Sequence, residues 1–301
     1  MYGAIDVGTN TVRLLLYDEK TGEKIKLMRS TRIGEGLVQG GQLSYQGMER
    51  TRRAIMEYLE LARNKDVVEP VYCYATSAVR QAANGPDFME MIAGKKGLVS
   101  EIISSEMEAE YGYRGAIGQG DGVVIDIGGG STEMAYGEKG KVLFRGSALM
   151  GCVSGLALYG GDEDRLSAPV MERMQVEYGA LATTLREEVL GDKQVDALVG
   201  IGGTMTQLAM IKSGEERYSP EVVTGMELSA GELEGMLTEF CAMTTAERRG
   251  IPGMEPTRAD VILPGCAIAL SLVAATGVQR IIACDSDTLE GYLLQKIAEG
   301  N

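Results

Sequence analysis

Short β-branched runs that end in glycine alternate along this chain with longer segments of helical spacing. Val123, Val124 and Ile125 form one such run, closed by Asp126 and then by Gly128, Gly129 and Gly130. It reads as a buried strand with an acid at its tip. The segment AIDVGTNTV, residues 4–12, aligns without gaps on VIDIGGGST, residues 124–132, matching Ile5 to Ile125, Asp6 to Asp126 and Gly8 to Gly128. A second run follows each copy (RLLLYDEKTGEKI, EMAYGEKGKV), with a glycine-containing turn before another short strand. The chain is internally duplicated.

Between the copies, residues 45–65 set Met48, Ile55, Met56 and Leu59 at helical spacing, and residues 71–82 read as a strand entering a turn and a helix. Residues 167–191 and 229–243 predict helices. Residues 196–211 predict a strand, a glycine turn at Gly200, Gly202 and Gly203, and a helix. The uncharged run 261–279 is long enough to raise a membrane span. Pro264, Gly265, Ser271, Thr276 and Gly277 point instead to a buried helix ending near Gly277, with a strand at 280–284. The pattern is α/β, and 301 residues suit two domains.

Composition narrows the chemistry. A net charge of −14 argues against a nucleic-acid surface and against a long basic groove for a long polyanion. The five cysteines are scattered without a C-x-x-C pair, which fits a reducing cytoplasm, and Asp6 and Arg13 interrupt any N-terminal signal. There is no histidine. Histidine bases, histidine metal ligands and histidine triads are therefore excluded, and hydrolysis would rest on carboxylates, a hard cation and arginines.

A glycine-rich turn after a strand presents N–H groups to an anion. The acid beside it would repel phosphate unless a cation lies between them, which suggests a metal-bridged phosphate site; a single such turn would equally suit a tight hairpin. Two copies facing each other could hold a phosphate chain from both sides. Ser105 and Glu108 spell a capping box at a helix start. Glu106 and Glu110 share a helical face away from Glu108 and are expected to be solvated.

The ordered set IDVGTNTVRLLLYD, RIGEGL (32–37), TSAVRQAAN (76–84), SSEMEAEYGYRGA (104–116), VIDIGGGSTEM, MGCVS (150–154), GIGGT (200–204) and RADVI (258–262) resembles the exopolyphosphatase and guanosine pentaphosphate phosphohydrolase family over nearly the whole chain. The resemblance implies two duplicated actin-like (ribonuclease H-like) α/β domains with an interdomain cleft. Residues 1–119 with a C-terminal helix at 287–301 would form one domain and residues 120–286 the other. Longer relatives carry a C-terminal helical domain with a histidine–aspartate site, so the chain is expected to be the short two-domain form.

What the resemblance implies for the site is specific. Glu108 maps to the catalytic base, although Met107 replaces the glutamate that usually precedes it. Arg80 would contact phosphate, with Arg32 a weaker candidate. The loops Gly8, Thr9, Asn10, Thr11 and Gly128, Gly129, Gly130, Ser131, Thr132 would cradle phosphates, and Asp6, Asp126 and Glu133 would hold Mg²⁺ or Mn²⁺. The glycines of GIGGT would either pack or hold a nucleotide. The expected reaction is release of the terminal phosphate of polyphosphate or of guanosine pentaphosphate, with no nucleic-acid or membrane partner and a homodimer allowed. A nucleotide-dependent kinase or ATPase of the same superfamily, and a non-catalytic sensor of guanosine polyphosphates, are the alternatives.

Overall fold

The computed structural model describes residues 1–158 and 168–300, so residues 167 and 301, at the ends of two expected helices, lie outside the described residues. Each copy of the repeat opens a sheet. In the first, β1 (Tyr2–Val7), β2 (Thr11–Tyr17) and β3 (Lys24–Ser30) form an antiparallel meander, and β4 (Val71–Ala75) and β5 (Leu98–Ile102) add parallel strands beside β1, giving the order β3-β2-β1-β4-β5. In the second, β6 (Gly122–Ile127), β7 (Thr132–Glu138) and β8 (Lys141–Ala148) repeat the meander. There β9 (Leu198–Ile201), β10 (Glu227–Ser229) and β11 (Arg280–Ala283) complete the order β10-β11-β9-β6-β7-β8. Parallel neighbours need crossover connections, and the helices supply them.

The expected helices form within a few residues of their predicted limits. Tyr45–Asn64 starts at Ser44, whose side chain accepts from the Gly47 N–H, and turns Met48, Ile55 and Leu59 into the core of the first sheet. The apolar run becomes Ile262–Thr276, ended by Gly277 in the left-handed region. Leu263, Ile268 and Leu272 are fully buried in the core of the second sheet, each contributing about 1.5–3 kcal/mol. Among the described residues no helix is long and apolar enough to cross a membrane. The expected helix at 167–191 is α-helical only over Ala168–Leu185 and continues as a π-helical turn, Arg186–Leu190.

Two helices tie the halves together. Ser105–Ala116 leads from β5 into β6, and the C-terminal Thr288–Gly300 packs beside it and onto the first sheet through Leu289, Tyr292 and Leu293, which join Ala4, Leu15, Tyr74 and Tyr111 in one core. The helices approach so closely that a Cβ on Gly291 would lie 1.9 Å from the Tyr111 carbonyl oxygen. The expected cap is shifted by one residue. Ser104, not Ser105, accepts from the Met107 N–H at 3.2 Å, and Glu108 turns away from the helix start.

Gly291→Ala is expected to destabilise the protein by about 1–3 kcal/mol through overpacking. Gly235→Ala, in the exposed helix Ala230–Ala242 with nothing within 4 Å of its Cβ, should stabilise by about 0.5–1 kcal/mol. Chemical denaturation checks both, and equal effects would contradict this packing.

Candidate functional site

The strand tips of the two repeats face one another. In each loop the glycine N–H closes the turn onto a carbonyl, Gly8 to Thr11 and Gly128 to Ser131, both at 3.0 Å. These two N–H groups therefore serve their own loops. The N–H groups of Thr9, Asn10, Gly129 and Gly130 donate to no backbone or side-chain acceptor among the described residues. The loops touch: a Cβ on Gly130 would lie 2.7 Å from Ser77 Oγ and 2.8 Å from Thr9 Oγ1, so only glycine allows this approach. Together they wall a cavity of about 70 Å³ that also meets Asp6, Glu108, Asp126 and Arg258. A cleft of about 720 Å³ opens from Thr9, Asn10, Ser77 and Gly130 on one side. Another of about 390 Å³ opens from Arg13, Gly202, Gly203 and Arg258 on the other.

Register decides the next layer. Asp6 is the cross-strand neighbour of Arg13, and Asp126 that of Glu133, so the two copies place opposite charges at equivalent positions. Arg13 Nε donates to Asp6 Oδ2 at 2.8 Å, and another nitrogen of the same guanidinium pairs with Asp287 at the start of the C-terminal helix. Burial still raises the Asp6 carboxyl against the pull of Arg13; burial opposes ionisation of Asp287 too, but Arg13 and Lys26 hold it below the usual range. Asp126 accepts from Thr288 Oγ1 at 3.1 Å and is pushed up to about 6 by burial, against Arg13. Glu133 accepts from Ser147 Oγ at 3.0 Å, and burial, with the Asp126 charge, pushes it up to about 7.

Glu108 lies in the first turn of Ser105–Ala116, buried, with its Oε2 accepting from Arg80 at 3.0 Å. Burial first, then Glu133, push it well above the usual glutamate range, while Arg80 pulls the other way. Arg80 is fixed from behind by the Ile103 carbonyl at 2.9 Å, and its second terminal nitrogen, 4.0 Å from Glu133, has no hydrogen-bond partner among the described residues. Of the remaining expectations, Arg32 sits outside the small cavity, at the rim of the larger cleft, where it pairs with Asp260 at 2.8 Å. Glu106 is exposed as expected, but Glu110 is half-buried and paired with Arg114 and Arg145. Thr204 of GIGGT donates to the Ile127 carbonyl at 2.9 Å, while Gly202 and Gly203 line the cavity.

Sequence reasoning missed Arg13, Asp287, Thr288 and Arg258 as members of the site. Arg258 is buried with its guanidinium against Gly203; among the described residues its one hydrogen bond from the side chain runs to Met28 Sδ at 3.3 Å. Burial lowers its pKa. A buried cation held by no carboxylate is suited to an incoming anion. Asp6 Oδ1 and Asn10 Nδ2, both of residues that line the cavity, are likewise unpartnered among the described residues, the amide able to donate to an anion and the carboxylate oxygen able only to accept; outside that lining, one nitrogen of Arg80 and Glu133 Oε2 are unpartnered as well. Buried polar groups are ordinarily satisfied, and such a concentration marks a place where something binds.

Comparison with known proteins finds relatives along nearly the whole chain. The profile of the Ppx/GppA phosphatase family matches residues 21–299. Exopolyphosphatase 2 of Mycobacterium tuberculosis is 31% identical, over 97% of this chain and 97% of that protein. A guanosine-5′-triphosphate,3′-diphosphate pyrophosphatase of Vibrio atlanticus is 29% identical, over 98% of this chain and 58% of that protein. The crystal structure of the Aquifex aeolicus member of the same family superimposes with a TM-score of 0.80 at 28% identity, covering 100% of this chain and 98% of that one. The expected duplication is observed as two sheets of an α/β fold that each open on the same meander, with clefts beside the facing loops.

The raised carboxyl of Glu133 makes a stability prediction. Its folded pKa, about 7, lies above the unfolded value, so the folded state binds the proton more tightly, and stability is present at low pH and lost as pH rises through about 7. With chelator present, Glu133→Gln should be more stable than the parent at pH 8, by up to about 3 kcal/mol, and the gap should close near pH 5. Thermal melts across this range check it. A gap that widens toward acid would contradict the burial of this carboxyl.

Proposed function

Because the chain belongs to the Ppx/GppA phosphatase family, we propose that it releases the terminal phosphate of inorganic polyphosphate or of guanosine pentaphosphate. The observation that carries this reading is the pair of facing loops, with free N–H groups on both, beside a buried glutamate held by an arginine. Thr9, Asn10, Gly129 and Gly130 bind the phosphate oxygens. Arg258 and the unpartnered nitrogen of Arg80 take further oxygens, which fixes the terminal phosphorus in the cavity. Glu108 accepts the proton of the attacking water, and Arg80 keeps that carboxylate oriented and draws it toward its ionised form.

The donor set fits a hard cation. Asp126 and Glu133 are cross-strand neighbours, Glu133 Oε2 has no partner, and Mg²⁺ is ordinarily held by one or two carboxylates together with substrate phosphates. Among the described residues no group of three or more acids, histidines or cysteines could hold an ion by itself, so the remaining positions would fall to substrate oxygens and water. Mg²⁺ or Mn²⁺ bound there would neutralise charge on the departing phosphate. Asp6, with Oδ2 engaged by Arg13, would add negative charge beside that ion.

Phosphate release measured side by side on short polyphosphate, long polyphosphate and guanosine pentaphosphate with Mg²⁺ tests the substrate. Glu108→Gln should lower turnover by ~10²–10⁴ while melting like the parent, because the Ser104 cap is untouched. Excess chelator should abolish the parent's activity. Turnover of the variant within a few-fold of the parent, or full activity in chelator, would sink the corresponding part of the reading.

A further inference from the structure

Tyr74 is unaccounted for by the reaction as described. It stands on β4, directly across from Asp6 on β1 in a parallel register, so both side chains leave the same face of the sheet. Its ring is fully buried and fixed by Tyr292, with centroids 4.5 Å apart; Tyr292 is in turn held edge-on by Tyr111 at 5.4 Å and anchored by its hydroxyl to Glu101. The Tyr74 hydroxyl, however, has no hydrogen-bond partner among the described residues, although Tyr74 lines the small cavity with Asp6 and Glu108. A phenylalanine would fill the same space without leaving a polar group unsatisfied.

Asp6 Oδ1 is unsatisfied as well. A buried donor and a buried acceptor on adjacent strands, not bonded to each other, are both completed by one molecule that can accept and donate. Water is such a molecule. We propose that Tyr74 is a further catalytic residue, its hydroxyl donating to the attacking water while that water donates to Asp6 Oδ1 and to the Glu108 carboxylate. The assignment rests on the hydrolytic reading above. Three contacts fix the water and leave one lone pair free to point at phosphorus. The water oxygen then bonds to the terminal phosphorus, and the bridging P–O bond breaks with its electron pair leaving on the shortened chain. One proton passes to Glu108, and the other hydrogen stays on the released phosphate.

The surroundings keep Tyr74 in the donating form. Burial, then the Asp6 charge, raise the phenol well above its ordinary value, with Asp287 and Glu108 adding to the effect and Arg13 opposing it. A phenol, with an ordinary value of ~10, is protonated at neutral pH and can donate there. Both water acceptors are carboxyl groups, so the contact cannot be reversed when they are ionised.

Tyr74→Phe keeps the ring and its stacking on Tyr292, which makes it a clean test. With the substrate that the parent hydrolyses best, kcat should fall about 10- to 100-fold, the loss of one hydrogen bond in a charged site. KM should change by no more than about twofold, since no phosphate contact is removed. Crystal structures of parent and variant supply a readout independent of turnover: the parent should show a water within hydrogen-bond distance of Tyr74 Oη, Asp6 Oδ1 and Glu108, and the variant should have lost it. A kcat within a few-fold of the parent, or a parent structure without that water, overturns the proposal. A parent that releases no phosphate from any of the three substrates sinks the hydrolytic reading instead, and the ordered water then decides the hydrogen-bond assignment on its own.

Discussion

Setting Asp6, Glu108 and Asp126 around one small cavity, with Glu133 buried on the strand beside Asp126, is the constraint to which the rest of the structure answers. Carboxylates removed from water need compensating charge or must hold their protons. Arg13 answers for Asp6 and ties it to Asp287, which also receives the Leu289 N–H at the start of the C-terminal helix. Arg80 answers for Glu108 and leans on the Ile103 carbonyl. The charge network thus fixes how the last helix closes on the first sheet and how the helix Ser105–Ala116 presents its glutamate. Its incompleteness is as informative. Among the described residues neither Glu133 nor Arg258 has an opposite charge at hydrogen-bond distance, and Arg258 lines the cavity where a phosphate chain would supply it.

The internal duplication makes the asymmetry legible. Both repeats carry an aspartate at the strand tip and a second residue opposite it, but that residue is Arg13 in the first and Glu133 in the second. The first half is therefore neutralised from within. The second is short of positive charge, which is the deficit that the proposed divalent cation would fill. A duplicated scaffold has become a cleft with one wall neutralised from within and one short of positive charge.

Much of the fold could be read from the chain because its signals are local. The gapless match of 4–12 to 124–132 fixed the two meanders, and the apolar run before Gly277 declared a buried helix through its proline, serine and glycine content. The small shift of the cap from Ser105 to Ser104 shows the limit of such signals, since both serines offer the same hydroxyl and only the backbone decides between them. The parts of the site that were not legible are those made by register and by closure of distant segments. Arg13 read as an interruption in an apolar run until its strand partner was known. Arg258 and Asp287 come from the far end of the chain, and Tyr74 passes for an ordinary strand residue until its hydroxyl is found without a partner.

The central claim is that the two loops and the unpartnered groups between them form one receptor for a tetrahedral phosphate. A crystal structure of the protein soaked with orthovanadate or inorganic phosphate tests it most directly. The account predicts an anion in the small cavity, bound by the N–H groups of Thr9, Asn10, Gly129 and Gly130 and within reach of Arg258. An anion bound elsewhere, with this cavity holding only water at saturating concentration, would contradict it.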